Sequence, residues 1–305
     1  MSIVNTSVPV TAASYDRMIK EIVAKYPFCR TELLAATAFA RPIRTLVIGE
    51  GPRKVLYTAA HHANEWITTL VLLKFAEELA EAIATRGQIF GQDAARISRV
   101  ATIYMVPMVD PDGVDLVVGA ITPDMLQYDL ARRLAENYPN IPFPQGWKAN
   151  LLGVDLNLQY PAGWLQAREI KFSQGFTTPA PRDYVGRYPL SQFESRALAG
   201  YTEAIDPALV LAYHTQGGEI YWQFEGIEPE GARALGEEFA RVSGYTLTDA
   251  PYESGFAGYK DWFIQRFRKP GYTIEAGRGE NPLPLSQFDE IYRDNLGILV
   301  TGALG

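Results

Sequence analysis

The chain has 305 residues, a net charge of −7 and 47% hydrophobic residues, which is ordinary for a globular protein. No basic run indicates a nucleic-acid partner, and no apolar stretch approaches the roughly 20 residues of a membrane span. The only cysteine, Cys29, excludes an internal disulfide.

We expect one domain over residues 1–305, because no repeat, low-complexity tract or linker divides the chain. The N-terminus has neither a basic segment nor a continuous apolar core, so no signal peptide is expected. The predicted location is therefore the cytoplasm, although a secreted form with its leader removed would have the same sequence. The oligomeric state is left open.

Alternation of apolar runs with helical periodicity predicts an α/β fold, with a mostly parallel sheet covered by helices on both faces. The predicted strands are 44–49, 55–60, 101–109, 209–213, 220–224 and 271–275. The predicted helices are 12–26, 65–84, 123–138, 191–205, 230–243, 258–268 and 286–301. Capping boxes are predicted at Ser191 and Ser286, a turn at 110–113, and a long surface loop at 166–188.

The three histidines are the most informative residues of the chain. His62 and Glu65 lie where a predicted strand is followed by a helix, and His214 ends another apolar run. The carboxyl ends of strands are where open α/β sheets bind ligands, and two imidazoles with one carboxylate are a usual set for catalytic zinc. The sequence therefore predicts a zinc hydrolase with one zinc per chain, held by His62, Glu65 and His214. His61 is expected to be a neighbour, because His62 has the better spacing to Glu65.

Hydrolysis of an amide also needs a general base, a donor for the oxyanion and groups that orient the substrate. Glu275 ends an apolar strand before glycines, and a buried carboxylate at such a position needs a partner. Taken alone, Lys148, Asn157 and Tyr252 are more typical of a solvated, a turn and a packing residue, respectively.

The order of these motifs resembles the zinc carboxypeptidase family of carboxypeptidase A, from about residue 12 to the C-terminus. The motifs that carry the resemblance are His62-Ala-Asn-Glu65-Trp66, Asp110-Pro-Asp-Gly113, Gly153-Val-Asp-Leu-Asn157, His214-Thr-Gln, Ser254-Gly-x-x-Gly-x-x-Asp261-Trp262 and Ile274-Glu275. The resemblance implies one α/β domain with a mixed eight-stranded sheet.

The resemblance also implies roles for individual residues. Glu275 would be the general base for the attacking water, and Lys148 would stabilise the oxyanion at a position where the family has arginine. Asn157 would orient the substrate, and Tyr252 would close over it. The family usually follows this asparagine with an arginine that holds the substrate's α-carboxylate, but here the residue is Leu158. Loss of such a pair should cost roughly 2–5 kcal/mol of recognition of an ordinary carboxypeptidase substrate.

Leu158 and its neighbours look like one branch, the bacterial γ-D-glutamyl-L-diamino acid endopeptidases. These enzymes cut the bond between γ-D-glutamate and meso-diaminopimelate or lysine in cell-wall peptides. The further segments that carry this likeness are 147–150, 214–222, 254–262 and 280–284. The branch implies a peptide substrate derived from the cell wall. Arg278 is hypothesised to meet a substrate carboxylate, although a surface arginine is an equal alternative.

Three other functions are weighed against this one. A zinc carboxypeptidase would trim C-terminal L-residues, and a zinc deacylase would act on N-acyl amino acids. A non-catalytic module would bind wall peptides, but it would be expected to have a damaged metal or base position, and all four of these residues are present.

Overall fold

The computed structural model describes residues 2–305. Its α-helices are α1 (Ala12–Lys25), α2 (Ile67–Thr85), α3 (Ala94–Val100), α4 (Pro111–Val117), α5 (Leu126–Ala135), α6 (Trp164–Ser173), α7 (Phe193–Ile205), α8 (Ala232–Ser243), α9 (Tyr259–Phe267) and α10 (Phe288–Leu304). Its strands are β1 (Leu33–Ala36), β2 (Pro42–Arg44), β3 (Leu46–Ile48), β4 (Arg53–Ala59), β5 (Gln88–Ile89), β6 (Gln92–Asp93), β7 (Ala101–Val106), β8 (Leu209–His214), β9 (Glu219–Tyr221), β10 (Thr246–Thr248) and β11 (Gly271–Glu275).

Seven strands form the main sheet of the described chain, in the order β10-β9-β11-β8-β4-β7-β3. The four central strands, β11, β8, β4 and β7, are parallel to one another. β9 is antiparallel to β11, and β3 is antiparallel to β7. The central parallel strands thus end at the same edge of the sheet, which brings their last residues together.

Side chains of the central strands alternate between two hydrophobic cores. Val55 and Tyr57 of β4 belong to the core that includes α2 and α10, whereas Leu56 between them belongs to the core that includes α7 and α9. β8 divides in the same way, since Leu211 faces the first core and Ala212 the second. This period of two, with both sets buried, is expected of a parallel sheet that is covered on both faces.

The mixed α/β class and five of the six predicted strands are confirmed, but the sixth, 44–49, is divided, and the main sheet has seven strands where eight were predicted. The predicted strand 44–49 is interrupted at Thr45. The part before the interruption, β2, forms a two-stranded sheet with β1, while β3 joins the main sheet. The short β1–β2 pair has a register shift between Leu33 and Ala35 and contacts α7.

The predicted long loop at 166–188 is partly wrong, because α6 occupies its first residues. Trp164, Ala167 and Lys171 are the buried residues of this helix, at spacings of three and four that place them on one face. The predicted turn at 110–113 is the start of α4, where the Asp110 side chain accepts a hydrogen bond from the Gly113 backbone at 3.0 Å. The strand β10 and the helix α3 were not predicted.

Both predicted capping boxes are wrong. The hydroxyl of Ser191 donates to the Gln159 side chain, and α7 begins after Gln192 without a side-chain cap. Ser286 lies within a 3-10 turn, Leu285–Gln287, that precedes α10. Over residues 2–305, no helix combines the length and the apolar character that crossing a bilayer requires.

Candidate metal centre and active site

Three side chains from two strand ends converge on one point. His62 and Glu65 follow β4 in a short 3-10 turn, Ala63–Glu65, and His214 is the last residue of the adjacent parallel strand β8. Glu65 lies between the two imidazoles, with one carboxylate oxygen 2.9 Å from His62 Nδ1 and the other 2.9 Å from His214 Nδ1. All three side chains are buried.

This donor set fits a metal ion. The ligand atoms of His62, Glu65 and His214 all lie within 4.8 Å of one another. The Nδ1 atoms of the two histidines are only 3.2 Å apart, a separation at which two nitrogen lone pairs need a proton or a cation between them. Two imidazoles and one carboxylate leave a fourth position open, which is characteristic of catalytic rather than structural zinc sites.

Asp155 orients His62 from the opposite side of the ring. Its Oδ1 lies 3.1 Å from His62 Nε2, which leaves Nδ1 facing the other ligands. A carboxylate that holds the outer nitrogen of a metal-binding histidine fixes its ring orientation. The Asp155 carboxylate is itself held by the backbone N–H groups of Asn157 and Asp183, at 3.1 and 3.2 Å. Asp155 lies in the motif Gly153-Val-Asp-Leu-Asn157, but its role as a partner of His62 depends on tertiary contacts and was not predicted.

The buried charges shift one another's pKa values. Burial alone would lower the pKa of His62, but the nearby carboxylates of Glu65 and Asp155 raise it to about 9. Burial would raise the pKa of Glu65, yet the charges of His62 and Lys148 hold it well below its usual range. The site therefore keeps an ionised carboxylate between its two histidines.

Glu275 lies beside the three ligands. It ends β11 and is the register partner of His214 in β8, and the backbone N–H of Ala276 donates to the His214 carbonyl at 2.8 Å. Burial raises the pKa of Glu275 to about 8, and the charge of Glu65 adds to the effect. Parallel strand pairing thus places the predicted general base next to a predicted metal ligand, although 60 residues separate them along the chain.

Lys148 is the cation closest to the ligand set. Its Nζ lies 3.4 Å from Glu65 Oε1, and its carbonyl accepts from the Ala63 backbone N–H at 3.0 Å. Burial would lower the pKa of Lys148, but the Glu65 carboxylate raises it. The lysine therefore carries a fixed positive charge at the edge of the site.

A cavity of about 660 Å³ opens onto these groups. Asn157 and Leu158 lie on its wall, and Leu158 is only 7% exposed. The Asn157 side-chain oxygen accepts from the Tyr259 backbone N–H at 2.9 Å, so the amide is held against the first turn of α9. Leu158, an aliphatic residue, thus lies beside Asn157 at the position where the family has an arginine.

The structure does not bring Tyr252 and Arg278 into this cavity. Tyr252 is 70% exposed and its ring stacks edge-on against Phe256, with ring centroids 5.2 Å apart. Arg278 is exposed, and its guanidinium lies against Gly218. His61 is also outside the ligand set; it is buried and stacks on His214, with ring centroids 5.4 Å apart.

Two further groups of charges on the cavity wall were missed by sequence analysis. Arg182 donates from Nε to Asp183 at 2.6 Å, and Lys171 pairs with the same carboxylate at 2.8 Å. Lys260 and Asp261 form the second group. Arg182 and Asp183 lie in a loop, and Lys260 and Asp261 lie at the start of α9, so no hydrophobic periodicity identified them as parts of the cavity wall.

Comparison with known proteins agrees with this geometry. The model of the zinc carboxypeptidase family, peptidase M14, matches residues 15–297. A γ-D-glutamyl-L-diamino acid endopeptidase 1 from Lysinibacillus sphaericus is 44% identical over 285 residues, which are 93% of this chain and 69% of that protein.

Solved structures share the fold at low sequence identity. Bovine thrombin-activatable fibrinolysis inhibitor, in complex with tick carboxypeptidase inhibitor, has a TM-score of 0.73 at 15% identity and covers 98% of this chain and 97% of its own. Carboxypeptidase A from Helicoverpa armigera has a TM-score of 0.70 at 17% identity, covering 98% and 75%. With the family model spanning most of its length and a fitting ligand set assembled at its strand ends, this chain belongs to the zinc carboxypeptidase family of metallopeptidases.

Proposed function

We propose that this metallopeptidase hydrolyses the bond between γ-D-glutamate and a diamino acid in peptides derived from bacterial cell walls. The observation that carries the proposal is Leu158, which lines the cavity beside Asn157 where a C-terminal α-carboxylate would require a cation. The name of the Lysinibacillus sphaericus relative, a γ-D-glutamyl-L-diamino acid endopeptidase, supports the substrate class.

In this proposal His62, Glu65 and His214 hold one zinc ion. When bound, zinc supplies Lewis acidity that activates water and polarises a carbonyl. The pairing of Asp155 with His62 supports this arrangement, because it leaves the Nδ1 of His62 free to bind the metal.

Glu275 acts as the general base and then as the general acid. Its carboxylate accepts a proton from the attacking water and passes that proton to the amine that leaves. Its place at the end of β11, next to His214, supports this role, since a general base must lie within hydrogen-bond reach of the water it deprotonates.

The remaining roles concern charge and orientation. The fixed charge of Lys148 is available to the oxyanion that develops on the γ-glutamyl carbonyl. Asn157 orients the substrate from the cavity wall. For Tyr252 to close over the substrate, its exposed ring must swing in from the surface. For Arg278 to meet a substrate carboxylate, the peptide must extend beyond the cavity.

Carboxypeptidase action on ordinary C-terminal residues is the second candidate, and Arg182 favours it. The guanidinium lines the cavity and uses only Nε in its hydrogen bond to Asp183, so within residues 2–305 its terminal nitrogens have no hydrogen-bond acceptor. A planar fork of this kind suits a carboxylate. Arg182 would then bind the substrate's C-terminal carboxylate in place of the family's arginine, whose position Leu158 occupies in this chain.

One experiment separates the two candidates. Zinc-loaded protein is incubated in one tube with L-Ala-γ-D-Glu-meso-diaminopimelate and an all-L control peptide, and the products are followed by mass spectrometry. We expect release of free diaminopimelate while the control peptide stays intact. Trimming of the control peptide with the γ-D-glutamyl peptide left intact would contradict the proposed function and support the carboxypeptidase.

A further inference from the structure

The guanidinium of Arg182 lies on the cavity wall with most of its hydrogen-bonding capacity unused. Arg182 lines the same cavity as Lys148 and Glu275, and its side chain is 41% exposed. Its Nε donates to Asp183 Oδ2 at 2.6 Å, and neither of its terminal nitrogens has an acceptor within residues 2–305. A guanidinium carries its N–H donors in one fixed plane, so both terminal nitrogens are available to a ligand.

Asp183 holds this guanidinium in position. The Oδ1 atom of Asp183 pairs with the ammonium of Lys171 at 2.8 Å, and Lys171 is a buried residue of α6. The backbone N–H of Asp183 donates to Asp155 Oδ2 at 3.2 Å, and its φ of 64° is one that residues other than glycine rarely adopt. Such a backbone conformation persists where the surrounding structure holds it. The orientation of the Arg182 side chain is therefore set by the protein before a ligand binds.

Backbone hydrogen bonds fix Arg182 beside the residue that is assigned to the oxyanion. The carbonyl of Pro181 accepts from the backbone N–H groups of Lys148 and Ala149, at 2.8 and 2.9 Å. In the proposed mechanism Lys148 meets the oxygen of the attacked carbonyl, whereas Glu275, at the end of β11, returns its proton to the amine that leaves. Arg182 thus lies on the side of the acyl residue, which is the γ-linked glutamate of the proposed substrate.

A γ-linked glutamate carries a carboxylate that suits this position. Because the residue is joined through its γ-carbonyl, its α-carboxylate stays free, and only a short aliphatic chain separates it from the attacked carbonyl. An acyl residue that is joined through its α-carbonyl has no free α-carboxylate. A guanidinium binds a carboxylate through paired N–H···O bonds, which fix the orientation of the bound group as well as its charge.

We propose that Arg182 binds the free α-carboxylate of the γ-linked glutamate and thereby selects the acyl residue of the substrate. The two terminal nitrogens donate to the two carboxylate oxygens, while Nε keeps its hydrogen bond to Asp183. The inference rests on the proposed function and names the substrate group that this function requires on the acyl side. It differs from the carboxypeptidase candidate, in which Arg182 would bind the C-terminal carboxylate of the leaving residue.

The test compares L-Ala-γ-D-Glu-meso-diaminopimelate with the same peptide in which the α-carboxylate of glutamate is an α-carboxamide. The carboxamide keeps the shape but loses the charge, so wild-type protein should cleave it with a kcat/KM lower by roughly 10–100-fold. Arg182→Gln should lose a similar factor on the carboxylate peptide and stay within about threefold on the carboxamide peptide. The carboxamide peptide thus serves as an internal measure of folding, and zinc content and melting temperature are recorded for each protein.

Arg187 provides a matched control in the same loop. It is exposed and does not line the cavity, so Arg187→Gln should leave the cleavage of both peptides and their ratio unchanged. Equal cleavage of the two peptides by wild-type protein would overturn the inference, and so would a preference that survives in Arg182→Gln. An equal loss on both peptides, with normal zinc content and melting temperature, would also overturn it, because Arg182 would then bind a group that both peptides share, such as the C-terminal carboxylate.

Binding separates failure of this inference from failure of the proposed function. Both peptides are titrated by calorimetry into zinc-loaded Glu275→Gln, with and without Arg182→Gln. If wild-type protein cleaves neither peptide, the proposed function fails. In that case tighter binding of the carboxylate peptide that depends on Arg182 still supports the inference, and equal binding of the two peptides overturns it.

Discussion

Asp155 is buried and Glu275 is half-buried beside the two histidines, and their surroundings favour different roles for the two carboxylates. Asp155 is held by His62 and by two backbone N–H groups, and the positive charges around it keep its pKa well below its usual range. No donor within residues 2–305 forms a hydrogen bond to the Glu275 carboxylate, and burial raises the pKa of Glu275. A carboxylate that stays ionised suits a positioning role, whereas one that accepts and returns a proton suits acid–base chemistry.

Glu275→Gln should lower turnover by about 10²–10⁴-fold, because glutamine cannot take up the proton of the attacking water. The substitution leaves His62, Glu65 and His214 in place, so zinc content should stay at the wild-type level. Turnover is measured on the γ-D-glutamyl peptide, and zinc content by atomic absorption. A turnover within tenfold of wild type would show that Glu275 is not the general base.

Asp155→Asn should weaken zinc binding, which Glu275→Gln should leave unchanged. Asparagine keeps the shape of aspartate but removes the charge that orients the His62 ring, so zinc affinity should fall by about 10–100-fold. Competition with a chromogenic chelator measures the affinity, with Glu275→Gln as the control that should retain it. Unchanged affinity in Asp155→Asn would contradict the orienting role.

Among the secondary-structure elements, the start of α4 packs closely against the segment that carries Lys148. A Cβ at Gly113 would lie 2.2 Å from Asp110 Oδ2 and 2.7 Å from the carbonyl oxygen of Ala149, the residue next to Lys148. Contacts this short cannot persist, so either α4 or the Lys148 segment must move. The helix start is therefore coupled to the position of the cation.

Gly113→Ala should lower the free energy of unfolding by about 1–3 kcal/mol through this overpacking, and it should also reduce turnover. Gly200 is the matched control, because it lies in the exposed face of α7 and its Cβ would meet nothing within 4 Å. Gly200→Ala should raise the free energy of unfolding by about 0.5–1 kcal/mol. Urea unfolding checks both values, and destabilisation of similar size in the two variants would refute the steric argument.

The elements that sequence analysis predicted are those with strong periodicity. α2 is buried over most of its length, and β4, β8 and β11 are continuous apolar runs, so hydrophobic pattern alone located them. β10 has three residues at the sheet edge and a mixed burial pattern, which leaves little signal. Its position depends on parallel pairing with β9, a tertiary contact that local sequence does not contain.

The same distinction applies to the site. His62 and Glu65 follow β4, and His214 and Glu275 are the last residues of β8 and β11. Because these strands are parallel neighbours, the predicted sheet already places the four side chains close together. Lys260 was quoted within a motif without a role, because its burial depends on how α9 packs against β8 and β11. The outward position of Tyr252 depends in the same way on the loop before α9.

At the scale of the whole molecule, a buried carboxylate on α7 links stability to pH. Burial raises the pKa of Glu194 to about 7, the charge of Asp112 adds to this, and a hydrogen bond from Asn150 opposes it. The folded state therefore binds a proton that the unfolded state releases above its ordinary pKa of 4.5. Stability from this group is fully present below pH 4.5 and is lost as the pH rises through 7.

Across that window Glu194 should remove about 3 kcal/mol from the free energy of unfolding of the wild-type protein. The Glu194→Gln variant has no titratable group at this position, so its free energy of unfolding should fall less over the same pH range. The difference between the two proteins in chemical denaturation at pH 5 and pH 8 measures the contribution. Parallel pH profiles would show that Glu194 does not titrate between these values.

The distribution of the site over distant strands also has a consequence for the order in which it forms during synthesis. A nascent chain that extends a few residues past β4 contains His62 and Glu65, but the third proposed ligand, His214, is made about 150 residues later, and Glu275 later still. The three proposed metal-binding side chains come together only when β8 pairs with β4. Glu275 joins them when β11 pairs with β8. A ribosome-bound fragment that ends before β11 therefore lacks Glu275, and, if Glu275 is the general base as proposed, hydrolysis begins only after almost the entire chain has been translated.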